Sequence, residues 1–245
     1  MNFRNHRKIC VVDATTGFTG GINIGDEYRG RDPSLSPWRD THLRLQGPAV
    51  KDLRAVFARD WKEAVHRDLD PGPETETERE FSAHLVLEAL RLAKERVWIT
   101  TPYLAPSEAI GAALEQAVLR GIEVRILTTA LPDRYISFFA NWFFSEKLRR
   151  AGVAIHRPAE GFMHQKVILV DDKLAGVGSM NLDNRSLRLN FEIMVMFCDG
   201  ASIRQVREML EDDFAASRST EGEWGELGRR ERLYACVARL FAPFL

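Results

Sequence analysis

Apolar positions change their rhythm partway along this chain. Lys8–Val12 is rich in Ile and Val without regular alternation, which suits a strand buried on both faces, and Thr19–Ile24 follows as its hairpin partner. A Gly-, Asp-, Pro- and Ser-rich stretch runs from Gly25 to Pro37. Thr41–Leu45 then alternates like a strand, and Val50–His66 carries Val50, Leu53, Phe57 and Trp61 at helical spacing. The next segment, Asp70–Glu80 (DPGPETETERE), has two prolines, a glycine and alternating acids, so it predicts a linker that buries no face.

Beyond Phe81 the pattern becomes regular. Helices are expected at Ser82–Arg96, Ser107–Arg120 and Tyr135–Arg150, with strands at Val97–Thr100, Ile122–Leu127 and Val153–Ile155. Strands alternating with helices predict an α/β unit with a largely parallel, covered sheet. The expected division is a first unit over 1–69, a linker over 70–80, a second unit over 81–218 and an amphipathic tail over 219–245. The aromatic run Tyr135–Phe144 (YISFFANWFF) predicts a buried helix, with an apolar groove for lipid chains as its functional alternative. In the tail, Leu233, Val237, Leu240 and Phe241 share a helical face beside Arg229, Arg230, Arg232 and Arg239. Such a helix suits either docking on the domain or lying on anionic lipid.

Self-comparison changes the picture. HRKICVVD at 6–13 recurs as HQKVILVD at 164–171, and each copy is followed after six residues by Gly-x-x-Asn. His6, Lys8, Asp13, Gly20 and Asn23 thus correspond to His164, Lys166, Asp171, Gly178 and Asn181. On a strand, residues two apart share a face, so each copy projects a His and a Lys together, and the hairpin return brings up an Asn. Two such halves facing one phosphodiester would surround it with cations and amide donors. One imidazole would attack phosphorus while the other, protonated, serves the leaving alcohol. Asp13 and Asp171 lie on the opposite strand parity from their histidines and suit a hairpin role better than a contact with the ring. Asp40 and Glu192, which open later strands, are the candidates for orienting the imidazoles. His42, His66, His84 and His156 have no matching partners and are assigned no role.

The totals narrow the partners. A formal net charge of −1 argues against nucleic acid as ligand. Three scattered cysteines make neither a zinc cluster nor a disulfide framework. No window has the run of apolar residues that a membrane span requires, so membrane contact is expected to be peripheral.

The duplicated His-x-Lys-x4-Asp-x6-Gly-x-x-Asn pattern resembles the signature of the phospholipase D superfamily. GGINIGDEY with WRDTHLRLQGPAV, TPYLAP at 101–106 and GVGSMNLDNRSLRLNFE at 176–192 are similar to the bacterial cardiolipin synthase family over essentially the whole chain. The resemblance implies an α/β fold of two phospholipase-D-like lobes with mixed sheets flanked by helices. The first lobe would be incomplete, because only five residues precede His6. Met1 is then expected to be an internal methionine of a longer reading frame, or the chain a fragment.

It also implies transfer of a phosphatidyl group between phosphatidylglycerol molecules through a phosphohistidine, with release of glycerol and with neither metal nor other cofactor. The partner would be anionic phospholipid at the cytoplasmic face of the cell membrane. The implied catalytic set is His6, Lys8, Asp13, His164, Lys166 and Asp171, with His6 as nucleophile and His164 as general acid. Asn23, Asn181 and Ser179 would bind substrate; Gly21 stands where the second copy has Ser179, so one hydroxyl is missing from the first half. Two other functions stay open: hydrolysis by a phosphodiesterase of the same superfamily, and an inactive fragment that needs an N-terminal partner.

Overall fold

The computed structural model describes residues 4–65 and 76–245. Its centre is a seven-stranded sheet in the order Met194–Phe197, Leu174–Gly178, Val167–Val170, Arg96–Thr100, Glu123–Leu127, Ala154–Pro158 and Ser217–Ser219. Only the strands at 96–100, 123–127 and 154–158 run parallel to one another. The remaining pairings are antiparallel, so the sheet is mixed and less parallel than the βα alternation suggested. The reason is local: Val170 and Leu174 are joined by a turn too short for a crossover.

Both faces of this sheet are covered. Val97, Ile99, Val124, Ile126, Ile168 and Val170 face the helices Glu76–Leu92, Glu108–Leu119 and Tyr135–Arg150. On the other face, Trp98, Leu127, Val167 and Leu169 meet Ile203, Val206, Leu210 and Phe214 of the helix Gly200–Ala215. Burial on both sides is why these strands read as unbroken apolar runs.

The first half builds a three-stranded antiparallel sheet from Ile9–Val12, Thr16–Gly20 and His42–Gln46. The hairpin return therefore begins three residues before the expected Thr19 and stops before Ile24. Ala49–Val65 forms the following helix, while His66 lies outside the described residues. Helix Glu76–Leu92 starts inside the expected linker, since Glu and Arg are good helix formers, and it ends before Arg96, which opens a strand. The rest of that linker, 70–75, lies outside the described residues. The aromatic run at 135–144 is less buried than expected: Ala140, Asn141, Ser145 and Leu148 face the core, leaving the rings half-buried or exposed.

The two copies of the repeat form the same hairpin. Asp13 and Ala14 have φ of 50° and 54°, and Asp171 and Asp172 have φ of 52° and 51°. Thr15 N–H donates to Val12 O at 3.1 Å, and Lys173 N–H to Val170 O at 2.9 Å. Two consecutive positive φ values give the mirror-image turn whose twist suits a two-residue hairpin, and Asp is among the few side chains that tolerate it. Asp171 has a second task. Its carboxylate accepts from the backbone N–H groups of Lys94, Glu95 and Arg96 at 2.8–2.9 Å, which fixes the entry of the central strand 96–100. Burial alone would raise its pKa, but these three donors hold it below the ordinary carboxylate value.

Asp171→Ala is expected to remove about 2–4 kcal/mol of stability by stranding three backbone donors. Asp13→Ala, at an exposed turn, should cost less than about 1 kcal/mol. Urea unfolding of both variants checks the contrast; equal costs would remove the fastening role.

Candidate active site

Two short parallel pairings join the halves. Arg4–Asn5 pairs with Asn190–Phe191, and Phe162–Met163 pairs with Trp38–Arg39. Each pairing ends one residue before a histidine on one side and one residue before an acid on the other. His6 N–H donates to Phe191 O at 2.9 Å and His164 N–H donates to Arg39 O at 2.8 Å. Backbone register therefore sets His6 beside Glu192 and His164 beside Asp40, each imidazole against an acid of the opposite half. His164 Nδ1 lies 2.8 Å from Asp40 Oδ2, whereas His6 Nδ1 lies 3.7 Å from Glu192 Oε1.

The lysines follow two residues later, in the segments that lead into the strands Ile9–Val12 and Val167–Val170. Lys8 Nζ donates to His6 O and Lys166 Nζ to His164 O, both at 2.5 Å. His6, Lys8, Asn23, His164, Lys166, Ser179 and Asn181 all line one cleft of about 420 Å³. Within it Asn23 donates to the Tyr28 hydroxyl. Asn181 is buried, and its carboxamide oxygen has no hydrogen-bond partner among the described residues. Asp13 and Asp171 do not enter this cleft. Both, expected among the catalytic side chains, stand at the hairpin turns instead of in the cleft lining.

The half-sites differ in one compensated pair. Ser179 Oγ donates to Glu192 Oε2 at 2.5 Å and accepts from Ile193 N–H at 3.0 Å. At the corresponding Gly21, a Cβ atom would stand 2.1 Å from Asp40 Oδ1. The shorter aspartate lies back against the backbone, where Thr41 N–H donates to it at 2.8 Å. A glycine with Asp thus replaces a serine with Glu, and the missing hydroxyl is a consequence of packing. Gly178 has its own reason, since a Cβ there would meet Ile193 O at 2.0 Å.

Outer contacts brace both pairs. Arg7, next to His6, donates from Nη1 to Asp60 Oδ1 at 2.7 Å and from Nε to Glu192 O at 3.1 Å. Arg39, next to Asp40, makes a two-pronged contact with Asp213 at 2.7 and 3.0 Å, and Gln165, next to His164, donates to the same carboxylate at 3.0 Å. Sequence reasoning missed these residues, and it missed Tyr28 and Trp38, whose rings stand 5.7 and 4.9 Å from that of His164. Nothing in a one-dimensional pattern links positions so far apart, although the odd aromatic pair in a turn-rich segment was a signal. Tyr103 of TPYLAP lines the cleft and donates to Asp133.

Burial and crowded cations set the protonation states. His6 is depressed to about 4 by burial and by the positive charge of Lys8, Arg134, Arg185 and Arg4. His164 also falls to about 4, through burial and Lys166, with Asp40 opposing. Lys166 is lowered to about 7 by burial, while burial lifts Glu192 to about 7. The cleft sets neutral imidazoles among competing cations, so an anion would be well matched to it.

Comparison with known proteins agrees with this architecture. Residues 86–214 match the family model described as "Cardiolipin synthase, PLD-like domain". Cardiolipin synthase A of Pseudomonas fluorescens (strain SBW25) is 46% identical and that of Pseudomonas entomophila (strain L48) 47% identical, each over 263 aligned residues. Both alignments cover 100% of this chain and 55% of the relative, so the chain spans about half the length of the curated relatives it matches. A crystal structure of phosphatidylserine synthase from Haemophilus influenzae Rd KW20 superimposes with a TM-score of 0.74 at 16% identity. It covers 98% of this chain and 71% of its own, a likeness of fold. With its duplicated His-Lys hairpins closed on one cleft, this chain belongs to the family of cardiolipin synthase domains of the phospholipase D type.

Proposed function

We propose that the chain carries the active site of a phosphatidyltransferase that moves a phosphatidyl group from one phosphatidylglycerol to another and releases glycerol. The carrying observation is the pair of imidazoles in one cleft, each set against an acid of the opposite half. Two lysines and two asparagines around them suit a single phosphodiester anion, and no metal is required for the steps below.

His6 attacks phosphorus as the neutral imidazole that its depressed pKa provides. His164 donates a proton to the departing glycerol oxygen; the P–O bond breaks and a P–N bond forms. The hydroxyl of a second phosphatidylglycerol then gives its proton back to His164 and displaces His6, yielding cardiolipin. His164 suits the acid role because Asp40, within hydrogen-bond reach of Nδ1, stabilises its imidazolium, whereas His6 has only the more distant Glu192. Substrate charge completes the division: burial and then the lysines hold both rings neutral, the phosphodiester offsets the lysines, and the ring already facing Asp40 takes the proton. Ser179 keeps Glu192 in place and touches substrate at its edge of the cleft. The site would work at a membrane surface, on the cytoplasmic side.

The deciding assay is incubation with phosphatidylglycerol vesicles. Cardiolipin plus glycerol is the expected outcome. Phosphatidic acid plus glycerol would replace transfer by hydrolysis, and the absence of both products in the chain and in a version extended at its N-terminus would overturn the proposal. Asp40→Asn should lower kcat by about 10²–10⁴-fold with little change in KM, and a larger loss in Glu192→Gln would reverse the two histidine roles. For pH, Lys166 loses its charge as pH rises through about 7, so kcat/KM should fall on that alkaline side. Lys166→Arg, always protonated, should lower the plateau but move this limb beyond about pH 9. An unmoved midpoint would remove Lys166 as its source.

A further inference from the structure

The C-terminal helix is built with its large side chains outward. Arg229–Ala238 and the turn Arg239–Phe244 dock through Ala235, Ala238 and Ala242, all buried. Contacts of Tyr234 with Phe139 and of Arg239 with Phe143 tie them to helix Tyr135–Arg150. Leu233, Leu240 and Phe244 are left 60%, 66% and 68% exposed, and Tyr135 at the start of the partner helix is 73% exposed. Apolar residues of this size left exposed on two elements packed together suit an interaction surface.

Two observations identify the occupant. The first is charge. Arg229 and Arg230 stand exposed at the N-terminal end of their helix, where the helix dipole disfavours cations, so they contribute nothing to the helix and suit an anionic partner. Of the nearby acids, Glu231 accepts from Gly228 N–H at 2.7 Å and Asp133 accepts from Tyr103, while Glu226 is exposed. The second is continuity with the cleft. Phe244 and Leu245 from the turn, and Arg134 and Ser137 from the partner helix, line the cleft that holds His6 and His164. A phosphodiester entering that cleft from a bilayer would cross this lip.

We propose that the face formed by residues 229–245 and the start of helix Tyr135–Arg150 lies on an anionic phospholipid bilayer and sets the cleft mouth against the headgroups. This rests on the phosphatidyltransferase reading and adds the surface through which it works. Leu240 and Phe241 would enter the headgroup boundary, with the arginines at the phosphates.

Flotation with vesicles of phosphatidylglycerol and phosphatidylcholine, against phosphatidylcholine alone, tests it. The chain should bind the anionic vesicles, and L240D/F241D should bind at least about tenfold more weakly, with an unchanged melting temperature because both side chains are exposed. Arg229→Glu with Arg230→Glu should lose the preference for anionic vesicles. Turnover of monomeric short-chain phosphatidylglycerol should stay at the wild-type level in both variants. Wild-type vesicle binding by L240D/F241D would overturn the proposal, as would a substitution that instead abolishes self-association of the chain. Binding through this face without turnover of the short-chain substrate would uphold the surface and remove the catalytic reading.

A different observation carries a second inference. Asp213 bridges the neighbours of both members of the closest pair through charged contacts, gripping Arg39 beside Asp40 and Gln165 beside His164, where Met209 makes only weaker sulfur contacts with Thr41 and Gln165. We infer that Asp213 is a positioning residue for the His164–Asp40 hydrogen bond. Asp213→Asn should lower kcat at least about tenfold with KM retained, and should shift the Nδ1 proton resonance of His164; Asp213→Glu should recover part of the rate. An unchanged resonance with an unchanged kcat would overturn it.

Discussion

The structure depends on a constraint of four residue pairs. Arg4–Asn5 against Asn190–Phe191 and Phe162–Met163 against Trp38–Arg39 are parallel pairings too short to stand alone, yet each sets a histidine opposite an acid from the other half. A slip of one residue in either would turn the next side chain to the opposite face and carry the imidazole away from its carboxylate. Such short ladders persist because both ends are held elsewhere. Leu43 of the first half packs into the core beneath helix Gly200–Ala215, and Arg7 and Arg39 carry the connection out to Asp60 and Asp213 on the flanking helices.

From that arrangement follows an unequal pair of half-sites. Lys166 and His164 are buried, whereas the His6 side chain is 35% exposed. The buried half holds the tighter imidazole–carboxylate contact, and the open half has the looser one. Desolvation and two lysines push both rings toward neutrality, so the carboxylate distance is what distinguishes them. Under the proposed function this difference assigns the proton to His164 and the attack to His6. The same crowding of cations makes an anionic substrate part of the site's electrostatic balance, since without it Lys8 and Lys166 oppose each other across the cleft.

Much of this was legible in the residues, for identifiable reasons. The repeat shows itself because two hairpins of the same geometry need the same residues at the same offsets: His and Lys on one face, Asp at the turn, Gly where a strand passes too close for a Cβ. The covered sheet shows itself through the unbroken apolar runs at 97–99 and 167–170. Hidden were the features that require two distant segments at once. Asp40 and Glu192 were picked out by position in their strands, but nothing indicated that each would face the other half's histidine. Gly21 read as a lost hydroxyl until Asp40 was seen to occupy the space of a side chain there. Helix Glu76–Leu92 begins within the acidic segment expected as a linker, where helix propensity acts against the composition signal.

One residue type in the repeat separates folding from chemistry. A motif written as His, Lys and Asp invites the view that all three act on substrate. Here the aspartates lie where the chain reverses, and Asp171 spends both carboxylate oxygens on three backbone donors at the entry of the central strand. That strand is hydrogen-bonded directly to the one that carries Val167, one residue after Lys166. The aspartate therefore governs the site through the sheet: it sets where strand 96–100 begins, which sets the height of its neighbour, which sets where His164 and Lys166 emerge. A spacing shared by two copies is evidence of a shared requirement, and the requirement at this position is a turn.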